Sequence, residues 1–216
     1  MHDVFFAVFG LLAVSSLLLF FVVRSFQKKR EGWRAFAERH GLEVTGLGFN
    51  ETPTIRGTWR GVSVSAELNS AMSMFRGRVI EASLTVVEAV SSSPLPWDVA
   101  VTDAADGSEL AVPLPSRGPQ YLAVYAAGPA AREWLQDENV VRAAGNLVTT
   151  YEPFVTIERD HVSVARSELA DPQELQAMLD DCVDALVTFG VNVRHHTEGD
   201  NSTFLDQRTH QHLLAS

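Results

Sequence analysis

One long block, Val4–Val23, is apolar except for Ser15 and Ser16; it reads VFFAVFGLLAVSSLLLFFVV and contains no charged residue and no proline. Twenty residues of α-helix rise about 30 Å, which matches the hydrocarbon thickness of a bilayer. The block therefore predicts a transmembrane helix after a short tail, residues 1–3. A helix buried in a soluble protein and a cleaved signal peptide are the alternatives. A signal peptide is disfavoured because the residues ahead of the block, Met-His-Asp, include no Lys or Arg.

Beyond the block, apolar and polar residues alternate in several short stretches, which is the period of half-buried strands. Apolar side chains recur at every second position in Val62–Leu68 and over most of Gly77–Val90, and Arg60-Gly61 reads as a hairpin turn. The same chemistry predicts further strands at Thr54–Trp59, Trp97–Val101, Glu109–Leu114, Tyr121–Ala126, Phe154–Ile157 and Val162–Ala165.

Later stretches have the helical period. Pro129–Gln136 predicts a short helix, Asp137 begins a second one, and Asp171 with Glu174 forms a capping box for a last helix that ends at Gly190. This order predicts an α+β soluble domain over residues 41–193, in which a mainly antiparallel sheet packs with two or three helices on one side. Residues 194–216 have no clear period and predict a flexible polar tail.

Basic residues follow the apolar block and are absent before it. We define the basic collar as Arg24, Lys28, Lys29, Arg30 and Arg34. Lys and Arg beside a span are retained on the cytoplasmic side of the membrane. The sequence therefore predicts a single-pass protein of a bacterial inner membrane, with its N-terminus outside and its soluble domain in the cytoplasm.

The collar lies in a predicted juxtamembrane helix over residues 24–40, which Gly41 ends as a C-cap with Leu42 as its apolar partner. We expect Trp33 to pack on the soluble domain, because it lies more than two turns beyond the apolar block. The alternative places it among lipid headgroups. Gly32 is a candidate hinge between anchor and domain.

The charge of the chain is unevenly distributed. Six of its 17 Lys and Arg residues lie between Arg24 and His40, whereas from Gly41 onward 24 acidic residues oppose 11 basic ones. An acidic domain is repelled by nucleic acid, so a nucleic-acid partner is disfavoured. The single cysteine, Cys182, excludes an internal disulfide and a multi-cysteine metal site. We expect no cofactor and no catalytic residue.

One connection is unusually apolar, and it carries the candidate contact residues Met72, Met74, Phe75, Arg76 and Arg78. Loop tips are normally small and polar. Methionine-rich surfaces adapt to protein partners, and apolar tips beside arginine can enter a headgroup layer. The alternative is that these apolar side chains fold under and cap the sheet.

Other residues that could carry chemistry have simpler structural interpretations. His195, His196, His210 and His212 could bind a metal but lie in the predicted tail. The carboxylates of Asp180, Asp181 and Asp184 lie on the polar side of the last helix, where a solvated face is expected. Cys182 lies on the apolar stripe of that helix and reads as a small core residue rather than a nucleophile.

The layout resembles a loose class of uncharacterised bacterial proteins that have an N-terminal span and a strand-rich soluble domain. The resemblance rests on the pattern Trp33-x-x-x-Ala37-x-x-x-Gly41-Leu42 and on a closing helix that begins Pro172-x-x-Leu175. It implies a location and a layout, and no activity.

The leading hypothesis is a membrane-anchored, non-catalytic binding or scaffolding module. It would present an acidic domain at the inner face of a bacterial membrane to a protein partner. The alternatives are a membrane-associated enzyme whose site is assembled only by the fold, and a reader of the lipid surface that uses the Met72–Arg78 connection.

Overall fold

The computed structural model describes residues 2–48, 51–75, 78–103, 110–125 and 128–190. For residues 2–13, 18, 19, 22, 70–75 and 78–82 it describes the backbone only. In chain order the elements are α1 (His2–His40), β1 (Glu43–Thr45), β2 (Thr54–Trp59), β3 (Val62–Phe75), β4 (Arg78–Val90), β5 (Asp98–Thr102), β6 (Leu110–Leu114), β7 (Gln120–Tyr125), α2 (Pro129–Gln136), α3 (Glu138–Tyr151), β8 (Val155–Ile157), β9 (His161–Ser167) and α4 (residues 172–190).

The strands form two antiparallel sheets, so the predicted α+β class is confirmed. The larger sheet has the order β1-β2-β3-β4-β9-β8 and the smaller one β5-β7-β6. The prediction of one sheet was wrong. Pro94 and Pro96 follow β4 and cannot donate ladder hydrogen bonds. The next strand, β5, pairs with β7 in the second sheet.

The predicted hairpin turn between β2 and β3 is confirmed. Arg60 and Gly61 have φ angles of 50° and 86°, the left-handed pair that a two-residue hairpin turn requires. Strand pairing begins directly beside the turn, at Trp59↔Val62. The turn therefore fixes the register of the first hairpin in the large sheet.

Strand β3 is longer than the sequence predicted, whereas β4 has nearly its predicted bounds. Their pairing runs from Ser63↔Val90 to Phe75↔Arg78, so the expected connection after Leu68 is strand as far as Phe75. Bulky residue types such as Phe75 favour extended backbone, which the prediction of a loop underestimated.

The end of this hairpin extends past its neighbours in the sheet. β2 pairs with β3 only up to Glu67, and β9 pairs with β4 only from Thr85. We call residues 69–75 and 78–83 the β-arm. Within the described part of the chain, no named strand other than these two pairs with it.

Helix α1 is continuous from the apolar block through the collar. Its C-terminal end packs into the domain, where Trp33, Phe36 and Ala37 are at most 5% exposed, so the expected packing of Trp33 is confirmed. When only the described residues are considered, no helix has a stretch long and apolar enough to cross a membrane, and the predicted transmembrane helix finds no support there.

The hinge expected at Gly32 is not present, because α1 is unbroken at that residue. A Cβ added at Gly32 would lie 2.9 Å from Cγ of Pro172, the first residue of α4. The missing side chain instead allows α1 and the start of α4 to approach closely.

The capping box predicted for α4 is confirmed. Asp171 Oδ1 accepts hydrogen bonds from the backbone N–H groups of Gln173 and Glu174, both at 2.9 Å. Glu174 Oε2 in turn accepts the N–H of Asp171 at 3.0 Å. The predicted apolar stripe of the helix packs into the core, with Leu186 partly buried and the rest fully buried: Leu175, Met178, Leu179, Cys182 and Phe189.

The small sheet and α2 cover the C-terminal end of α4. The indole N–H of Trp134 in α2 donates to the carbonyl of Phe189 at 3.1 Å. The Trp97 ring, just before β5, lies edge-on to Trp134 with centroids 5.7 Å apart. Side chains from α1, α4 and both sheets thereby join one hydrophobic core.

Candidate functional site

Two residues of the basic collar bind the domain itself. Lys29 Nζ donates to the carbonyl of Leu169 at 2.8 Å. Arg30 donates to the carbonyl of Glu51 at 2.8 Å and to that of Gly48. Arg24, Lys28 and Arg34 are exposed. The collar therefore divides into a part that joins α1 to domain loops and a part that faces outward.

Aromatic side chains complete the junction between α1 and the domain. The indole N–H of buried Trp33 donates to the carbonyl of Ala170 at 2.8 Å. One to two turns later, the rings of Phe36 and His40 lie 5.7 Å and 4.8 Å from the ring of Trp59 in β2. Contacts at both ends of residues 29–40 hold this part of α1 along the domain.

A groove of about 490 Å³ lies between α3 and α4, and the sequence did not predict it. Its floor is apolar, with Leu147 buried and Val187 47% exposed. Its sides carry amides, hydroxyls, one guanidinium and two carboxylates. The lining residues are Asn139, Arg142, Ala143, Asn146, Leu147, Thr150, Asp181, Asp184, Ala185, Val187 and Thr188.

The three carboxylates on α4 lie on a partly solvated face, as the sequence predicted, and each also has a partner from a neighbouring element. Asp180 accepts from the indole N–H of Trp59 at 2.9 Å. Asp181 accepts from the hydroxyl of Tyr151 at 2.7 Å. Arg60 lies 2.7 Å from Asp184 and 3.6 Å from Asp180. These partners come from β2, the first hairpin turn and α3, which sequence spacing alone does not bring together.

Two buried groups near Asp181 have raised pKa values. Burial raises the pKa of the Tyr151 hydroxyl, and its hydrogen bond to the Asp181 carboxylate raises it further. Burial also raises the pKa of the Cys182 thiol, with a smaller contribution from the charge of Asp181. A thiol held protonated is a poor nucleophile. The prediction that Cys182 is a small core residue is confirmed by its full burial.

Four of the five candidate contact residues of the apolar connection fall on the β-arm. The Cα atoms of Met72, Met74 and Phe75 are paired with those of Glu81, Val79 and Arg78. Arg76, and the four histidines of the predicted tail, lie outside the described residues. Within the described ranges, no three His, Cys, Asp or Glu side chains are grouped as metal ligands would be.

Comparison with known proteins gives one structural likeness. No protein-family model matches the chain, and no curated protein matches it significantly. A crystal structure of the mycobacterial trehalose monomycolate transport factor A, TtfA, aligns with 79% of this chain and 96% of its own. The two share 16% sequence identity with a TM-score of 0.47, a likeness that does not establish a shared fold.

Proposed function

We propose that the protein is a membrane-anchored, non-catalytic binding module whose α+β domain engages a protein partner at the inner face of a bacterial membrane. One observation carries the proposal: the two ends of α1 have opposite environments. Trp33 and Phe36 are buried in the domain, whereas Val14, Leu17, Phe20 and Phe21 are 56–59% exposed. Large apolar side chains exposed together on one helix indicate a surface that a membrane or another protein covers.

The sequence indicates that a lipid bilayer covers this part of α1. The exposed side chains lie within Val4–Val23, whose length in a helix suits the hydrocarbon core. Arg24 and Lys28 follow it on the exposed surface, where anionic headgroups attract each basic residue by about 1 kcal/mol. The same basic residues favour retention of the domain in the cytoplasm.

Membrane retention tests the anchor. We would replace both Val14 and Leu17 with arginine, because each arginine near the centre of a span costs about 2.5–3.5 kcal/mol on insertion scales. The matched control is Val187→Arg, which places the same side chain on the domain surface. Carbonate-washed membranes should retain the control and lose the double variant. Equal retention of both would refute the anchor.

A pair of reporters at Ser216 tests orientation. One reporter is active only outside the cytoplasm and the other only inside it. We expect activity from the inside reporter alone. Activity from the outside reporter would place the domain in the envelope and overturn the assignment to the inner face.

The groove between α3 and α4 is the partner surface that we propose. Its partly exposed apolar floor and mixed polar sides have the composition of a protein-binding patch. Pro172 packs on Gly32 of α1, and α4 then rises about 22 Å to Val187. Asp180, partway along α4, binds Trp59, whose ring contacts His40 at the end of α1, so α4 rises in the same direction as α1. Its C-terminal end therefore lies away from the apolar block, where a bilayer would not obstruct a partner.

Site-specific crosslinking tests the groove. A photoreactive residue at Val187 should give a discrete adduct in cells, whereas one at exposed Thr58 in β2 should not. Adding the groove substitution Ala143→Glu to the Val187 probe should abolish that adduct. An adduct that is equally strong at Thr58, or unaffected by Ala143→Glu, would exclude the groove.

Enzymatic function is the competing reading, and the chemistry of the groove supports binding instead. The pKa of Tyr151, whose hydroxyl donates to the groove carboxylate of Asp181, is shifted toward the protonated form, and the thiol of Cys182 is buried against the carbonyl of Val87 in β4 rather than facing the groove. A general base or thiolate nucleophile requires the opposite shift or a poised pKa near 7.

A further inference from the structure

We propose that the β-arm is a second membrane-contacting element, whose tip, the paired residues Phe75 and Arg78, enters the headgroup and upper acyl region of the leaflet that borders the collar. The inference rests on the proposed anchor. It follows from the direction of the β-arm relative to α1 and from two known rises per residue.

Contacts at two levels fix the direction of the large sheet relative to α1. At the level of His40, the rings of His40 and Phe36 contact Trp59, the last residue of β2. At the level of Arg30, its guanidinium binds the carbonyl of Glu51, three residues before β2 begins. Strand β2 therefore runs in the same direction as α1.

The lengths of the two elements agree with this arrangement. From Arg30 to His40 α1 rises about 15 Å, and the five steps from Thr54 to Trp59 in β2 rise about 17 Å, with Glu51 in the loop ahead of the strand. Because β3 is antiparallel to β2, it runs back toward the N-terminal end of α1.

Hydrogen bonds place the base of the β-arm level with the collar. The N–H of Leu68 in β3 donates to the carbonyl of Pro53 at 3.3 Å. Its paired residue, Thr85, donates through Oγ1 to the carbonyl of Glu168 at 2.6 Å. The neighbouring carbonyl, that of Leu169, accepts from Lys29 Nζ. Leu68 and Thr85 are thus at about the height of Lys29.

From that height the β-arm extends farther than the collar does. Seven steps from Leu68 to Phe75 rise about 23 Å, whereas the six residues from Lys29 back to Val23 rise only about 9 Å. Sheets twist, so the β-arm need not stay parallel to α1. Even at a tilt of about 45°, its projection of about 16 Å passes the level of Val23.

The residue types of the β-arm suit this position. Met72, Met74, Phe75, Val79 and Ile80 concentrate toward the tip, and Arg78 begins the return strand. Phenylalanine with arginine is a combination that interfacial segments use. The backbone sets a limit on depth, because unpaired strand edges are not tolerated in hydrocarbon. We therefore place the tip about 5–10 Å into the interface, the depth of interfacial segments.

Depth-dependent fluorescence quenching tests the inference on the full chain in vesicles of phosphatidylcholine and phosphatidylglycerol. Four Ser→Cys variants carry the same environment-sensitive probe, at Ser16 in α1 and at Ser63, Ser70 and Ser73 along β3. Native Cys182 is fully buried and is expected to stay unlabelled, which the parent chain checks. The vesicles contain lipids brominated at shallow or deep acyl positions.

We expect quenching to rise along β3. The Ser63 probe should be unaffected, the Ser70 probe weakly quenched, and the Ser73 probe strongly quenched by the shallow bromolipid and little by the deep one. The Ser16 probe should be quenched most by the deep bromolipid.

The four probes separate the two proposals. If Ser16 is quenched and Ser73 is as unaffected as Ser63, the anchor stands and the β-arm inference is overturned. If Ser16 is unquenched, the anchor itself fails. A Ser73 site that escapes bromolipid but crosslinks between copies would assign the β-arm edge to a second copy, and would also overturn the inference.

Discussion

Removing the C-terminal part of α1 should unfold the domain, although a domain boundary at Gly41 is what the sequence predicts. The comparison is between two fragments, residues 24–216 and residues 41–216. Both lack the apolar block, and they differ only by the segment that carries Trp33 and Phe36. The result decides whether this segment is a linker or a part of the core.

The free energy of unfolding that the shorter fragment loses can be worked out from the burial of the two aromatic side chains. Trp33 is fully buried and Phe36 is 5% exposed. Truncating a buried aromatic residue to alanine costs about 3–5 kcal/mol, so the loss of both is about 6–10 kcal/mol. The bonds from Trp33 to Ala170 and from Lys29 to Leu169 add about 1 kcal/mol each. Domains of this size are stable by only about 5–15 kcal/mol.

Urea unfolding followed by circular dichroism, together with amide hydrogen exchange, measures the difference. The fragment 24–216 should unfold cooperatively, and 41–216 should show no cooperative transition and little protection. Within the longer fragment, Trp33→Ala should lower the unfolding free energy by about 3–5 kcal/mol. The control is Arg34→Ala at the neighbouring exposed position, which should leave the unfolding free energy nearly unchanged. A cooperative transition of 41–216 at the same urea midpoint as 24–216 would refute the reasoning.

Four smaller predictions concern the fragment 24–216 and the same unfolding measurement. Gly32→Val should lower the unfolding free energy by about 1–3 kcal/mol by crowding Pro172. The control is Arg34→Val, which introduces the same side chain at an exposed position of α1. Asp171→Ala should lower the unfolding free energy by about 1 kcal/mol because it removes the N-cap of α4, whereas Asp171→Ser, which can still cap the helix, should lower it less. Equal losses for the two variants would argue against the cap. Arg60→Ala should cost less than about 1 kcal/mol, because Arg60 and Asp184 are both more than half exposed; a larger loss would mean that this ion pair matters more than surface pairs usually do. The pKa values of Cys182 and Tyr151 are raised in the folded state, so the stability that they contribute is complete below their ordinary values of 9.0 and 10.0 and is lost as the pH rises above them. Cys182→Ala and Tyr151→Phe should therefore each make the unfolding free energy fall less steeply at alkaline pH. Unchanged slopes would contradict the assigned shifts.

Local features of the fold could be predicted from the sequence because short segments determine them. The capping box at Asp171, the turn at Arg60-Gly61 and the start of α3 after Asp137 each depend on side chains within a few residues of the backbone groups that they satisfy. The apolar period of α4 likewise identified the face that the helix buries. These signals need no knowledge of distant partners.

Features that depend on distant segments could not be predicted. The partners of Asp180 and Asp181 are Trp59 and Tyr151, which lie far from them in the sequence. The division into two sheets depends on which strands β5 and β9 meet, and strand period does not specify a partner. The groove between α3 and α4 exists only because those helices pack side by side. The wrong hinge at Gly32 has the same origin, since glycine can permit either bending or close packing.

The continuous junction of α1 has a mechanical consequence for both proposed surfaces. Lys29, Trp33 and Phe36 contact the domain at successive levels, so the domain is held to the helix along its side rather than tethered by one residue. If the apolar block spans a bilayer, the height of the domain is therefore fixed by helical rise. Gly32 lies about 14 Å beyond Val23, and Val187 lies about 22 Å farther along α4, which places the groove roughly 35 Å from the hydrocarbon. In that arrangement the same rigid junction would direct the β-arm toward the membrane, and contact at its tip would restrict rotation of the domain about α1. Anchor, β-arm and groove would then act together to present a partner surface at a set height and a set orientation.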